Sequence, residues 1–248
     1  FRIPIPHQVL WRFGIVWEDT TIRELLVSLR SHGFNRNSKL RFLDVGCFEG
    51  ELLDRLRVET SWTVFGLEPN TKAVEVAHRK GVEVWQGAAE EAARIIPNEY
   101  LFDVIFMGQS IEHVNRPIGV IRQLRLLLAP GGIIVLSTPN LDSKQVQLFG
   151  PTSSIWHPPY HRYIFSRRSL AQLAARSGMR MAGVKSFSHP YWTAMSIQQN
   201  RFGLGGFVSH AVEFEPHICH AAQDVVFWSK LLWDWHGGGD YLYAVLAQ

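Results

Sequence analysis

Short apolar runs alternate along the chain with segments in which apolar residues recur at helical spacing. Runs this short are typical of strands that are buried on both faces. They predict seven strands, at 40–45, 62–67, 82–86, 102–107, 133–138, 181–187 and 240–246. The remaining pattern predicts helices at 20–31, 51–57, 126–130 and 168–177, the last capped by Ser166 and stopped by Gly178. This alternation is typical of an α/β fold in which helices cover both faces of a mainly parallel sheet.

The segment 43–50, Leu-Asp-Val-Gly-Cys-Phe-Glu-Gly, joins the first predicted strand to a helix. Gly46 allows the backbone to approach a ligand closely, and Gly50 opens the helix, whose free amides attract a carboxylate or a phosphate. Asp44, at the end of the strand, either accepts a hydrogen bond from an ammonium group or fixes the loop. Glu68 ends the next strand, where an acidic residue typically binds ribose hydroxyls. The segment therefore predicts a site for a nucleotide-like ligand.

The glycine spacing disfavours a bound dinucleotide, because three residues separate Gly46 from Gly50 and no third glycine is in phase. Instead, Asp-x-Gly-Cys-x-x-Gly followed by a strand that ends in Glu resembles the class I S-adenosylmethionine-dependent methyltransferases. The resemblance covers about residues 38–188 and 239–248. It implies a Rossmann-like, seven-stranded, mainly parallel sheet, with S-adenosylmethionine as cofactor and S-adenosylhomocysteine as product.

The resemblance also implies the cofactor residues. Backbone groups of Gly46, Cys47 and Gly50 would line the methionine end, and Glu68 would hold the ribose. Cys47 is expected to be a packing residue and not a nucleophile. The other expected cofactor residues, together with Asp44, are Pro69, Asn70, Ala88, Ala89, Gly108, Gln109 and His113.

A second group of candidate residues lies after the carboxyl ends of strands, where open α/β sheets bind ligands. Methylation of a hydroxyl group requires a base or a metal, and Glu112, His113 and His161 are the catalytic candidates. A packing role for His113 is the alternative. Ubiquinone-pathway and small-RNA methyltransferases carry Glu-x-x-Glu-His here, whereas this chain has Gln109-x-x-Glu112-His113. Because a neutral amide weakens binding of a hard cation, no metal is expected; if one binds, its ligands are Glu112, His113 and His161.

Composition and charge narrow the partners and the compartment. The 248 residues carry a net charge of +3 with scattered Lys and Arg, so no nucleic acid is expected. Two cysteines do not make a disulfide framework, which favours a reducing, cytoplasmic location. No apolar run is long enough to cross a membrane, although peripheral contact stays open. Because the chain begins at Phe1, we expect it to be processed or part of a longer protein.

Two segments flank the predicted core. Residues 1–37 are predicted to form a helical leader that either lids the cofactor or packs on the sheet edge. Residues 189–238 are predicted to form an inserted helical lid or interface before the last strand, with an apolar helix at 219–235. Packing on the core, dimerisation and contact with a lipid-linked acceptor are three alternatives for that helix.

The acceptor is the least determined part of the function. The motif Thr138-Pro139-Asn140 with the later His-x-Tyr-x-Phe-Ser resembles a bacterial subgroup associated with polysaccharide and cell-envelope genes. That resemblance favours a hydroxyl group of a small molecule, a glycan or a lipid-linked sugar. Phenolic or polyketide hydroxyls, a catalytically degenerate binding domain and an RNA 2′-O-methyltransferase are the alternatives.

Overall fold

A computed structural model describes residues 19–188 and 237–248, together with Thr193, Met195, Ser196, Ile197 and Asn200. Its centre is one seven-stranded sheet with the order β3-β2-β1-β4-β5-β7-β6. Among the described strands, β7 runs antiparallel to both of its neighbours, β5 and β6, and every other neighbouring pair is parallel. The predicted mainly parallel sheet is thereby confirmed. The strands are β1 Arg41–Val45, β2 Thr63–Glu68, β3 Glu83–Gln86, β4 Phe102–Gly108, β5 Leu128–Pro139, β6 Arg180–Phe187 and β7 Tyr241–Ala247.

Helices cover both faces of this sheet. In chain order they are α1 Asp19–Leu29, α2 Glu51–Glu59, α3 Thr71–Arg79, α4 Ala92–Ile95, α5 Pro117–Leu126, α6 Lys144–Phe149 and α7 Arg167–Arg176. Apolar residues of α1, α2 and α3 pack with Phe42 of β1 on one face. Apolar residues of α4, α5 and α7 pack with Leu43 and Val45 on the other. Because strand side chains alternate, Asp44 lies on the same face as Phe42.

Local sequence signals explain why α7 forms where it does. Ser166 accepts a hydrogen bond from the backbone N of Ser169, at 3.1 Å, and the Ser169 hydroxyl accepts one from the Ser166 backbone at 2.8 Å. These reciprocal bonds satisfy free amides at the helix start. Gly178 follows the helix end with φ of +76°. The predicted cap and stop are both observed, and α7 begins one residue earlier than predicted.

The helix predicted at 126–130 is wrong. The helix of this region is α5, which ends at Leu126, and β5 already begins at Leu128, five residues before the predicted strand start at 133. Leu128 pairs with Phe102, whose backbone N donates to Leu127 O at 2.9 Å. The apolar run therefore crosses from a helix into a strand, and its composition alone does not mark the boundary.

The two predicted flanking segments are described only in part. The leader is described from α1 onward, where the helix predicted at 20–31 is observed as Asp19–Leu29 followed by a short 3-10 turn. The helix predicted at 219–235, with Cys219, lies outside the described residues. Within the described residues, no helix is both long enough and apolar enough to cross a membrane.

Candidate active site

The loop between β1 and α2 adopts a backbone conformation that requires glycine. Gly46 has φ of +85°, and its N donates to Leu67 O at 2.8 Å, which holds the loop against the end of β2. A Cβ on Gly46 would lie 2.9 Å from the Ser110 Cβ. Gly50 has φ of +77°, and a Cβ there would lie 3.1 Å from the Ala77 Cβ. Both positions therefore exclude larger side chains.

Glu68 connects two loops at the end of β2. One carboxylate oxygen accepts from Phe48 N at 3.0 Å, and the other accepts from Asn70 N at 2.9 Å. Asn70 in turn caps α3, accepting from Lys72 N and Ala73 N. A carboxylate has about four acceptor positions, so Glu68 retains capacity for a ligand's hydroxyl groups.

A cavity of about 360 Å³, the Glu68 cavity, opens at the carboxyl ends of β1, β2 and β4. It brings together seven of the residues predicted for the cofactor: Gly46, Glu68, Pro69, Ala88, Ala89, Gln109 and His113.

A second cavity of about 380 Å³, the Glu24 cavity, lies beside the first and shares Gly46 and Gln109 with it. The predicted residues Asp44, Cys47 and Gly108 line this cavity. Gly50 and Asn70 line neither cavity; Gly50 packs against α3 and Asn70 caps it. The predicted cofactor residues thus divide between two adjoining spaces.

Burial controls the charge of the polar groups in the Glu24 cavity. Asp44 is 5% exposed, and burial, followed by the nearby charge of Glu68, raises its pKa to about 7. Burial also raises the pKa of the Cys47 thiol, which is therefore neutral and unreactive at physiological pH. Cys47 is buried at 6% exposure, as expected for a packing residue.

The three catalytic candidates come together after β4. Potential ligand atoms of Glu112, His113 and His161 all lie within 4.8 Å of one another. Backbone bonds join the two loops that carry them, since Arg162 N and Tyr163 N donate to Glu112 O at 2.9 and 3.2 Å. The loop with His161 is thereby held against the end of β4.

Hydrogen bonds to the backbone fix the orientation of both histidines. Nδ1 of His113 lies 2.9 Å from Tyr160 O, and Nδ1 of His161 lies 2.7 Å from Ile155 O. A carbonyl oxygen only accepts, so Nδ1 of each ring donates a proton to its carbonyl and Nε2 is the nitrogen left for a ligand. Burial lowers the pKa of His161 to about 4, although the bond to Ile155 opposes the shift. His161 is therefore a neutral imidazole at physiological pH.

Glu112 is fully buried and only half satisfied. Its Oε2 accepts from the Thr138 hydroxyl at 3.0 Å, whereas Oε1 has no hydrogen-bond partner among the described residues. Burial raises the Glu112 pKa to about 8, against the opposing effects of hydrogen bonds from its own backbone and from Thr138. At neutral pH this carboxyl group is mainly protonated, beside a neutral histidine.

Eight residues that line the Glu24 cavity were not predicted from the sequence: Thr21, Glu24, Glu51, Leu52, Phe106, Ser137, Tyr241 and Tyr243. An acidic residue between Ile22 and Leu25 on a helix with a buried apolar face was the available signal for Glu24. Tyr160 and Tyr163, which lie on either side of His161 and Arg162 in the chain, line neither cavity and are 61% and 40% exposed.

Comparison with known proteins identifies the family to which the chain belongs. Residues 18–182 match a protein family described as a methyltransferase domain. The chain belongs to the class I S-adenosylmethionine-dependent methyltransferases. Its cofactor is S-adenosylmethionine.

This methyltransferase is similar in sequence to proteins named ubiquinone biosynthesis O-methyltransferase. It is 29% identical to the one from Aeromonas salmonicida over 185 residues, which cover 70% of this chain and 75% of the relative. It is 31% identical to the one from Rickettsia prowazekii over 144 residues, which cover 56% and 55%. The chain thus spans three quarters of the first relative and about half of the second.

Solved structures share the fold at low sequence identity. A methyltransferase from Archaeoglobus fulgidus aligns with a TM-score of 0.59 at 16% identity, over 98% of this chain and 100% of that one. The plantazolicin methyltransferase, solved with S-adenosylhomocysteine, aligns with a TM-score of 0.59 at 15% identity, over 98% and 91%. These alignments support the fold of the methyltransferase.

Proposed function

We propose that this methyltransferase transfers a methyl group to a hydroxyl group of a small molecule or glycan. The observation that carries the proposal is the cluster of Glu112, His113 and His161 beside the cavity that His113 and Gln109 line. S-adenosylmethionine, when bound, supplies an electrophilic methyl group on a positively charged sulfur. The protein must then position the acceptor oxygen and remove its proton.

In this proposal the residues of the two cavities hold the cofactor. Glu68 accepts hydrogen bonds from the ribose hydroxyls, while Pro69, Ala88 and Ala89 contact the adenine ring. Gly46 and Gln109, which line both cavities, lie where the adenosine and amino-acid ends would meet.

His161 is the proposed general base. Its Nε2 keeps a lone pair, and its low pKa leaves the ring neutral over most of the physiological range. With the cofactor bound, the acceptor oxygen would displace S-adenosylhomocysteine from the methyl group as the sulfur–methyl bond breaks. His161 Nε2 would take the hydroxyl proton, and the carbonyl of Ile155 would stabilise the charged ring. His113, held by Tyr160, orients the acceptor, and Glu112 can donate or accept a hydrogen bond at Oε1.

The acceptor class is proposed from the relatives and from the motifs. The similarity to ubiquinone biosynthesis O-methyltransferases favours oxygen as the methylated atom and a phenolic hydroxyl as one acceptor. The motif around Thr138 favours a sugar hydroxyl. Both classes belong in the same acceptor panel, because a shared fold does not determine the substrate.

A divalent cation is a second candidate for the same cluster. Glu112 Oε1 lacks a partner among the described residues, and both histidines present Nε2, so the donor set fits a cation. Two nitrogens and one carboxylate oxygen suit zinc, manganese or iron better than magnesium. Bound there, the cation would lower the pKa of an acceptor hydroxyl as a Lewis acid. Gln109 supplies a neutral amide where the related branches have a carboxylate, which weakens the site.

Calorimetric titration with S-adenosylhomocysteine tests the proposal directly. We expect saturable binding by the wild type and about 100-fold weaker binding by Glu68→Ala, because both loop contacts and the ribose contact are lost. Titrating Mn²⁺ and Mg²⁺ into EDTA-treated protein tests the cation. Turnover on phenol and sugar panels, read by mass spectrometry, then identifies the acceptor. Binding without turnover on any acceptor would favour the degenerate binding domain.

A further inference from the structure

Phe48, in the loop between β1 and α2, combines a strained backbone with an exposed aromatic ring. Its φ of +49° lies in the left-handed region, which is unfavourable for a bulky residue. Its side chain is 57% exposed, so the ring gains little from burial in the protein itself. Because backbone strain of this kind is retained mainly at functional sites, Phe48 is a candidate for contact with a ligand.

Comparable residues elsewhere in the chain support this interpretation. Two other described residues besides glycine have positive φ, Gln109 and His157, and both lie in loops of the candidate active site. Val58 and Leu126 are also apolar and exposed, but they lie in the helices α2 and α5 and line neither cavity. Among the described residues, strain and an exposed apolar side chain therefore coincide only at Phe48.

The position of Phe48 relative to Glu68 indicates what the ring contacts. Phe48 lines the Glu68 cavity, and its backbone N donates to the Glu68 carboxylate at 3.0 Å. The ring is therefore only a few covalent bonds from the carboxylate that, in the proposed function, accepts from the ribose hydroxyls. A ribose also presents C–H groups, against which an aromatic ring buries apolar surface.

We propose that the Phe48 ring packs against the ribose of the cofactor and covers its hydrogen bonds to Glu68. This inference rests on the proposed function. Packing there removes the exposed part of the ring from water. It also excludes water from the bonds to Glu68, which are stronger in less polar surroundings.

Three substitutions separate the ring from the strained backbone. Phe48→Ala removes the ring and keeps the strain, Phe48→Gly removes both, and Phe48→Tyr keeps the ring. We expect Phe48→Ala and Phe48→Gly to bind S-adenosylhomocysteine about 10-fold more weakly, and Phe48→Tyr to bind it within about 2-fold of the wild type. The Tm of Phe48→Gly should exceed that of Phe48→Ala by about 2–4 °C, because glycine adopts this φ without strain.

A second ligand shows which part of the cofactor the ring contacts. Adenosine has the ribose but lacks the amino-acid end, so Phe48→Ala should weaken adenosine and S-adenosylhomocysteine by the same factor. A loss confined to S-adenosylhomocysteine would place the ring against the amino-acid end and would overturn the inference. Normal binding of both ligands by Phe48→Gly would also overturn it. Wild type that binds neither ligand would overturn the proposed function itself.

Leu126→Ala is the matched control, because it removes an apolar side chain that is 66% exposed. Leu126 ends α5, just before the start of β5, whereas the Glu68 cavity lies at the carboxyl ends of the strands. Both ligands should bind this variant within about 2-fold of the wild type. A loss equal to that of Phe48→Ala would mean that the affinity follows overall stability, and the inference would be wrong.

A measurement on the wild type keeps the test valid if Phe48→Ala and Phe48→Gly do not fold. In the complex with S-adenosylhomocysteine, we expect nuclear Overhauser effects between the assigned ring protons of Phe48 and the ribose protons. Saturable binding without these effects would overturn the inference without any substitution.

Discussion

Glu68 ends β2 and Glu112 follows β4, the two strands on either side of β1. Both side chains are buried, but their hydrogen bonding differs. Both oxygens of Glu68 accept backbone N–H groups, so this carboxylate holds its own loops in place. One oxygen of Glu112 accepts from Thr138, and the other has no partner among the described residues. On the cofactor side Glu68 is therefore satisfied before a ligand arrives, whereas on the acceptor side Glu112 is not.

This difference predicts different sensitivities. A site whose polar groups are already paired binds its ligand with little reorganisation and depends weakly on conditions. A buried carboxyl group with a pKa near 8 beside a histidine with a pKa near 4 changes its charge with pH and with a bound ligand. Substitutions on the two sides should accordingly separate cofactor binding from turnover.

The largest expected effect comes from a substitution that changes the acceptor side alone. His161→Asn keeps a donor for Ile155 O but removes Nε2, so kcat should fall by about 10²- to 10⁴-fold. Affinity for S-adenosylhomocysteine should stay within about 2-fold, since this side chain lines neither cofactor cavity. Because the base must be neutral, the wild-type kcat/KM should stay constant as the pH falls through 6.5 and should decrease only near pH 4, the pKa of His161.

His157→Asn is the control for that substitution. The His157 ring lies 5.0 Å from the His161 ring, and its φ of +32° is one that Asn tolerates. We expect less than about a 3-fold change in kcat. An equal loss from both variants would mean that the histidines hold the loop and do not transfer a proton.

The next largest effect comes from a substitution that changes the cofactor side alone. Gly46→Ala places a Cβ against Ser110 at a position with φ of +85°, and should weaken S-adenosylhomocysteine by about 100-fold by displacing the loop. Gly33→Ala is matched to it, since φ is +82° and nothing lies within 4 Å of the new Cβ. Both should lower the Tm by about 2–4 °C, but only Gly46→Ala should lose affinity. Normal calorimetric binding by Gly46→Ala would place the cofactor elsewhere.

A smaller effect concerns stability and pH at Glu112. Its folded pKa of about 8 exceeds the ordinary value of 4.5, so the stability that it contributes is complete below pH 4.5 and is lost as pH rises to 8. Glu112→Gln resembles the protonated form and should remove that dependence. We expect the variant to be about 2 kcal/mol more stable than wild type at pH 8.5 in urea unfolding, and similar at pH 5.

Glu99→Gln, at an exposed position, is the control and should follow the wild-type stability curve at every pH. Wild-type and Glu112→Gln curves that stay parallel from pH 5 to 8.5 would contradict a buried, protonated Glu112.

The cofactor side could be predicted from sequence because its signals are local. Gly46 and Gly50 need backbone conformations that few residues adopt, and Glu68 follows directly from the end of an apolar strand. The boundary between α5 and β5 was missed because one apolar run spans both elements. Glu24 was missed because its burial depends on Tyr243, which comes from the last strand of the chain.

On the acceptor side, the sequence predicted which residues lie together but not which of them are protonated. The position of Glu112 and His161 after strand ends indicated that they would meet, and they do. Their protonation depends on Thr138 and on the carbonyl of Ile155, which no motif of the sequence connects to them. Residue types were therefore predictable here, whereas charge states required the tertiary structure.

The smallest expected effect tests whether the acceptor side is one substitution away from a stronger cation site. Gln109→Glu places a carboxylate three positions before Glu112 in the sequence, where the related branches have one, and should raise the affinity for Mn²⁺ by about 10-fold. The gain is limited because Gln109 Nε2 also donates to Ser137, and a carboxylate would lose that bond. Gln86→Glu, on an exposed part of β3, makes the same charge change away from the cluster and should leave Mn²⁺ binding unchanged. If calorimetry shows no gain for Gln109→Glu, the unpartnered oxygen of Glu112 serves hydrogen bonding to the acceptor, and proton transfer to His161 stands as the mechanism without a cation.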